Sequence, residues 1–233
     1  MFNGKMKAIT FSYDDGVTQD QRLIRLFDKY GMKATFNLNS GTLGNGGSLV
    51  REEVTVSHAK PRPCEVKEIY KNHEVAAHTI VHPMLTDKPD DYIIEQVEGD
   101  RKALSEIVEY DVKGFAYPGG GVNFNRHVAD VIRDNTGIKY CRTTVSSHNF
   151  DIQDDLYVFE PTVYHHCEWD KMEKLAEKFL ELTPDKPQIF YIWGHAYEFD
   201  IHKDWERFEE FLQKIAFKDD IFYGTNSEVL LGK

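Results

Sequence analysis

Two aspartates stand side by side in residues 11–17, FSYDDGV, where an apolar, β-prone run gives way to a glycine. Neighbouring side chains of a regular strand point to opposite faces, so Asp14 and Asp15 can serve one site only if the backbone turns there. Gly16 supplies the conformational freedom for such a turn. Further on, His78 and His82 are separated by three residues in HTIVH. On a helix that spacing would share a face, but Pro83 biases His82 away from the helical region, and a strand end entering a turn is the better reading. Two histidines and one carboxylate make a three-ligand set that leaves a coordination position for water, as in catalytic zinc sites. The second carboxylate is then available to accept a proton from that water. Each feature alone has a plainer reading. Asp-Asp-Gly is most often a solvated turn, a His-x-x-x-His pair is more often not a metal site, and a histidine after an apolar strand, such as His195 after FYIW, is often a satisfied buried side chain.

The elements that must position these residues alternate between strands and helices. Residues 7–13, KAITFSY, read as a buried strand ending in a turn. Thr18-x-x-Gln21 has the capping-box pattern, and Leu23, Leu26, Phe27 and Tyr30 recur at helical spacing until Gly31 ends the helix. The strand KATFNLN completes a β-α-β unit, whose crossover implies parallel pairing. A strand near 74–78, a helix near 90–108, a strand near 113–117 and a helix near 125–135 follow. Then come strands around 137–143 and 157–162, a helix near 168–182, the strand QIFYIW, a helix near 203–217 and a last strand, DIFYG. This order predicts an α/β fold, either a barrel or a doubly wound sheet. In a closed parallel barrel the C-terminal strand ends share one face, where barrel enzymes build their sites, so the Asp-Asp pair, the two histidines, the FAYPGGG turn and Gly194-His195 would meet. Residues 41–63 break the rhythm with GTLGNGG, a short hairpin in LVREEVTV, and KPRPC. So long a connection is expected to be an insertion, either covering the barrel mouth or lying on the surface. With no linker or repeat, residues 1–233 are expected to form a single domain.

Taken together, FSYDDG, HTIVH, FAYPGG and WGH, in that order over residues 10–195, resemble the signature motifs of polysaccharide deacetylases with the NodB-homology fold, carbohydrate esterase family 4. The resemblance implies a distorted (β/α) barrel with parallel strands, a divalent metal, and hydrolysis of an N- or O-linked acetyl group on a sugar, oligosaccharide or polysaccharide. The metal would most often be zinc, with cobalt, nickel or manganese as alternatives. By position, Asp15, His78 and His82 would be metal ligands, Asp14 the general base and His195 the general acid. Tyr117, Pro118, Gly119, Arg142 and Trp193 are candidate substrate or oxyanion contacts, with a backbone N–H of the YPGG turn, such as that of Gly119, as the donor. Trp193 and Tyr197 could instead be core packing.

Two departures stand out. The third motif commonly carries an arginine that orients the catalytic aspartate, and Ala116 occupies that position; Arg142 in YCRTT could supply the cation instead. The acidic partner of His195 is not evident, with Asp151, Asp154 and Asp155 as candidates. His165 and His166 follow another predicted strand, with surface or packing roles as the simpler reading.

The 39 acidic and 28 basic residues leave a net charge of −11, which disfavours nucleic acid and anionic membrane surfaces as partners. Three widely spaced cysteines make neither a disulfide framework nor a zinc ribbon and suit a reducing compartment. Without a secretory or membrane-spanning run, the expectation is a cytoplasmic protein meeting an acetylated carbohydrate, such as a soluble, nucleotide-linked or lipid-linked sugar. Two alternatives remain: hydrolysis of a non-sugar amide or ureide by the same residues, and a catalytically degenerate fold that binds carbohydrate.

Overall fold

The computed structural model describes residues 2–232. Its elements follow the order β1 (Lys7–Asp14), α1 (Asp20–Lys29), β2 (Ala34–Leu38), β3 (Ser48–Arg51), β4 (Val54–Ser57), α2 (Pro63–Ile69), β5 (Glu74–Ala77), α3 (Asp90–Val108), β6 (Gly114–Ala116), α4 (Arg126–Asn135) and β7 (Tyr140–Arg142). After these come β8 (Val163–Tyr164), α5 (Trp169–Glu181), β9 (Gln188–His195), α6 (Glu198–His202), α7 (Trp205–Ile215), β10 (Ile221–Tyr223) and α8 (Asn226–Leu231). The main sheet has eight strands in the order β7-β6-β5-β2-β1-β9-β8, with β10 also on β1. All its pairings are parallel. β9 pairs with β1 along its whole length. On the other edge, β10 takes residues 7–9 and β2 residues 11–14.

β1 is buried throughout and divides its faces by alternation. Phe11 and Tyr13 point to an aromatic layer, packing on Phe27 of α1 at ring separations of 4.8 and 5.9 Å and on Phe208 of α7 at 6.3 and 6.4 Å. Burying each such ring is worth roughly 1.5–3 kcal/mol. On the opposite face Thr10, Ser12 and Asp14 are polar and buried. Thr10 donates to Asn226, and Ser12 accepts from Asn37. The site therefore stands on a barrel interior of paired polar groups, while the apolar layer outside fixes the strands.

The barrel is distorted at one seam. The expected strand at 157–162 is instead a 3-10 turn over Leu156–Val158, an isolated bridge from Phe159 to Arg142 and a strand displaced to Val163–Tyr164. Pro161 has no N–H to give a ladder there. α1 also starts later than the Thr18 capping pattern predicts, with Gln19 before it and no side-chain cap. The Gln19 amide is committed to Ser57 O and Asp200 instead. The short helices α2, α6 and α8 carry too few turns for a periodic signal. Residues 48–57 of the long insertion form the antiparallel β3–β4 hairpin.

Candidate active site

Asp14 is the last residue of β1, and Asp15 follows with φ at 75° and Gly16 with φ at 57°. This left-handed turn ends the strand alternation and brings both carboxylates to one cavity of about 370 Å³. Gly16 is tightly confined, since a Cβ there would lie 2.7 Å from Leu38 Cγ.

Asp14 is held from two sides. Arg142 Nη2 donates to its Oδ2 at 2.5 Å and Asn37 Nδ2 to its Oδ1 at 2.8 Å. Both partners are placed by register: Asn37 lies opposite Asp14 on β2, and Arg142 lies opposite Ala116 where β6 and β7 pair. The cation thus enters from the strand beside the one on which the family motif would place it. Arg142 is fully buried, with its guanidinium 4.3 Å from the Trp193 ring centroid.

The histidine loop leaves β5 under strain. Thr79 and His82 adopt φ of 69° and 61°, and for Thr79, a β-branched residue, this is rare. Surrounding groups hold it there: Asn39 donates to the carbonyls of His78 and Thr79, and Asp100 accepts the backbone N–H groups of Ser40 and His78. His78 Nδ1 lies 2.8 Å from the Ala116 carbonyl, which places its proton there and leaves the Nε2 lone pair facing the cavity. Burial pushes His78 down to about 4, so it is neutral at physiological pH. Its Nε2 lies 3.9 Å from Asp15 Oδ1, and His82 Nε2 lies 3.6 Å from the same oxygen. The three donor atoms fall within 4.8 Å of one another. Tetrahedral zinc with ligands at about 2.0–2.2 Å requires donor separations of about 3.3–3.6 Å, so the set fits a divalent ion with small adjustments. Burial works against ionisation of Asp15, yet His58, 3.3 Å from Oδ2, together with His195, Lys60 and His78, holds it well below the usual carboxylate range.

β9 delivers His195 opposite Asp14 in register. Its Nδ1 lies 3.1 Å from Glu198 Oε1, and its backbone N–H donates to Glu198 Oε2 at 3.0 Å. The Tyr164 hydroxyl also donates to Glu198, and Arg51 of β3 approaches it at 3.3 Å. Burial disfavours the imidazolium, but Glu198, with Asp15 and Asp14 beyond it, outweighs that and raises His195 to about 9. Glu198 remains ionised: burial is overcome chiefly by His195, and its value falls to about 2. Gly119, Gly120 and Gly121 line the cavity, as do Trp193, Tyr197 and Tyr164. The Trp193 and Tyr164 rings stack at 4.2 Å. A larger depression of about 500 Å³ lies at the other end of β5 beside Glu74, but that carboxylate is already engaged by Thr35, Tyr140 and Ser227.

A family model described as polysaccharide deacetylase matches residues 3–140. The chain belongs to this family. No curated protein matches it. Among solved structures, a candidate polysaccharide deacetylase of Mycobacterium smegmatis is similar with a TM-score of 0.70 at 15% identity, covering 98% of this chain and 90% of that one. A carbohydrate esterase family 4 pseudoenzyme of Bacillus anthracis is similar with a TM-score of 0.57 at 16% identity, over 97% of this chain and 66% of that one. A Streptococcus pyogenes deacetylase in complex with acetate has a TM-score of 0.52 at 20% identity, over 64% of this chain and 61% of that one. The chain thus spans 66% and 61% of the length of the latter two. At these identities the likeness concerns the fold.

In this member of the polysaccharide deacetylase family, Asp14, Asp15, His78, His82, His195, Gly119 and Trp193 line one cavity. Arg142 lies beneath it against Asp14. Tyr117 and Pro118 do not line it. The Tyr117 hydroxyl donates to Tyr157 O and its ring stacks on Phe124 at 5.3 Å, so this side chain packs the wall. The acid beside His195 is Glu198. Of the earlier candidates, Asp151 pairs with Lys186 and Gln188 where β9 begins, Asp155 pairs with Arg126 and Arg133, and Asp154 is exposed. His165 is buried against Phe199 with ring centroids at 4.5 Å, and His166 faces Glu52. Sequence reasoning missed Glu198, Asn37, His58 and Arg51. Glu198 had a signal in its spacing of three from His195, and Asn37 in being a polar residue within an apolar strand, whereas His58 and Arg51 reach the site only through the fold of the hairpin.

Proposed function

We propose that this protein is a metal-dependent deacetylase that hydrolyses an N- or O-linked acetyl group on a sugar, oligosaccharide or polysaccharide. One observation carries the reading: a three-ligand set, a separate carboxylate and a charged imidazole converge on a single cavity. Asp15, His78 and His82 would hold a divalent ion, with zinc favoured by the nitrogen and oxygen donors and cobalt, nickel or manganese also compatible. When bound, such an ion supplies a Lewis acid that polarises the acetyl carbonyl and makes water more acidic.

The chain's own groups do the rest. Asp14, oriented by Arg142 and Asn37, accepts the proton of the attacking water. His195, kept protonated beside Glu198, donates a proton to the departing amine or alkoxide. Backbone N–H groups of the glycine turn, Gly119 first, are offered to the developing oxyanion. Trp193 and Tyr164 give an apolar wall for the acetyl methyl or a sugar face. Free thiols at Cys64 and Cys167 suit a reducing compartment, which favours a soluble or carrier-linked acetylated sugar as substrate. Among the described residues no helix is long and apolar enough to cross a membrane. A pseudoenzyme among the similar folds means that the fold alone does not argue for catalysis; the intact residue set does.

The test is acetate release from a panel of N- and O-acetylated sugars, with cyclic amides alongside, by metal-stripped protein before and after zinc or cobalt is restored. The reading expects metal-dependent acetate release that falls by about 10²–10⁴-fold in Asp14→Asn. Turnover of the amides alone would transfer the site to non-sugar substrates. Metal binding without any turnover would leave a carbohydrate-binding module.

A further inference from the structure

A second convergence of metal-ligating side chains lies outside the catalytic cavity. Glu52, in the turn between β3 and β4, meets His166, which follows β8, and His202, the last residue of α6. Glu52 Oε1 is 3.3 Å from His166 Nε2, and Oε2 is 3.6 Å from His202 Nε2. Each histidine thus faces a different oxygen of the carboxylate, the longer distance exceeds a hydrogen bond, and one ligand atom from each of the three residues lies within 4.8 Å of the others. The two imidazole rings lie 4.3 Å apart.

The hairpin itself points the same way. Glu52 and Glu53 occupy its two-residue turn with φ of 52° and 63°. Asn-Gly or Asp-Gly is the usual choice for such a turn, because positive φ at both positions is costly for other residues. Strain of this kind persists where the surroundings over-determine it, and here it presents the Glu52 carboxylate to the two histidines. An isolated two-stranded hairpin is marginal in water, so an anchor at its tip has a clear physical use. Arg51 precedes the turn and reaches into the catalytic cavity, with Nη1 3.3 Å from both Glu198 Oε1 and the Tyr197 hydroxyl.

We propose that Glu52, His166 and His202 form a second divalent-metal site, separate from Asp15, His78 and His82, which clamps the β3–β4 hairpin to the barrel and fixes Arg51 at the cavity. Two imidazoles and one carboxylate suit zinc, cobalt or nickel rather than calcium or magnesium. Glu52 and His202 are partly exposed, with side-chain accessibilities of 53% and 31%, so solvent can supply the remaining ligand and the ion can exchange.

The test is titration of the metal-stripped full chain with zinc chloride, with bound zinc counted by elemental analysis and amide exchange followed over residues 48–57. Wild type should bind two ions. Glu52→Gln and His202→Ala, which alter exposed side chains and should leave the circular dichroism unchanged, should each bind one. His78→Ala should also retain one. In wild type and His78→Ala, zinc at about 100 times Kd should slow hairpin exchange by about 100-fold; in His202→Ala it should not. One ion in wild type with none in His78→Ala, or a second ion that survives both Glu52→Gln and His202→Ala, would overturn the proposal. Either result would leave the reading of the catalytic cavity untouched.

Discussion

Asp14 is 2% exposed and lies between a fully buried guanidinium and an amide. Removing Arg142 would strand that carboxylate, and breaking a buried pair from one side typically costs about 3–5 kcal/mol. Arg142→Ala should therefore lower the free energy of unfolding by that amount, read as a lower urea midpoint with little change in m, and should remove most of the activity that survives folding. His195 gives a prediction with a definite sign. Its value is raised to about 9; in the proposed mechanism it acts as an acid in its protonated form, so turnover should hold below that pH and fall as pH rises through it. Glu198→Gln removes the largest of the raising charges and leaves the burial together with Asp15 and Asp14, which should move this alkaline limb to lower pH; an unmoved limb in a kcat–pH profile would remove Glu198 from this role. At this scale much of the site was legible. Asp14, Asp15, His78, His82 and His195 could be found because motif spacing survives in the chain. Glu198 was hidden although only three residues from His195, because the acidic partner was sought among Asp151, Asp154 and Asp155, which lie elsewhere.

The β1–α1 turn and the β3–β4 hairpin are the elements that shape the cavity, and they differ in how clearly the sequence announces them. Asp-Asp-Gly at a strand end calls for a turn, and a turn is present, but the left-handed conformation begins at Asp15 rather than at Gly16 alone. In Gly16→Ala the new methyl would meet Leu38 Cγ at 2.7 Å and push the turn outward. A misplacement of about 1 Å is enough to cost about 100-fold in rate. We expect a loss of that order in acetate release, with a stability cost of only about 1–3 kcal/mol; wild-type turnover in this variant would mean that the turn does not set the carboxylates. The seam at 157–164 was not legible. Its apolar, aromatic composition reads as a strand, whereas Pro161 and the single bridge at Phe159 divert pairing to Val163–Tyr164. The hairpin was legible as a hairpin, but its position over the cavity depends on contacts between residues far apart in sequence, such as Arg51 with Glu198.

The whole chain places all of this at the C-terminal ends of one curled parallel sheet. Alternating strands and helices fixed the class, but periodicity could not separate a barrel from a doubly wound sheet, because strands in both are covered on both faces; the family motifs made that choice. The net charge of −11 gives the molecule a field that repels polyanions at low salt. A bound ion joins residues from β1 and from the loop after β5, so it should stabilise the fold as a whole. At about 100 times Kd, zinc contributes about 2.7 kcal/mol, or about 5–11 °C in Tm for a chain of this size, and a chelator should reverse the gain. The most direct measurement is initial-rate acetate release from an N-acetylated oligosaccharide as zinc is returned to the stripped protein, run beside His82→Ala. The account predicts no release without metal, saturation as the Asp15, His78 and His82 set fills, and no recovery in the variant. Full turnover by stripped protein, or zinc-restored turnover in His82→Ala equal to wild type, would contradict it.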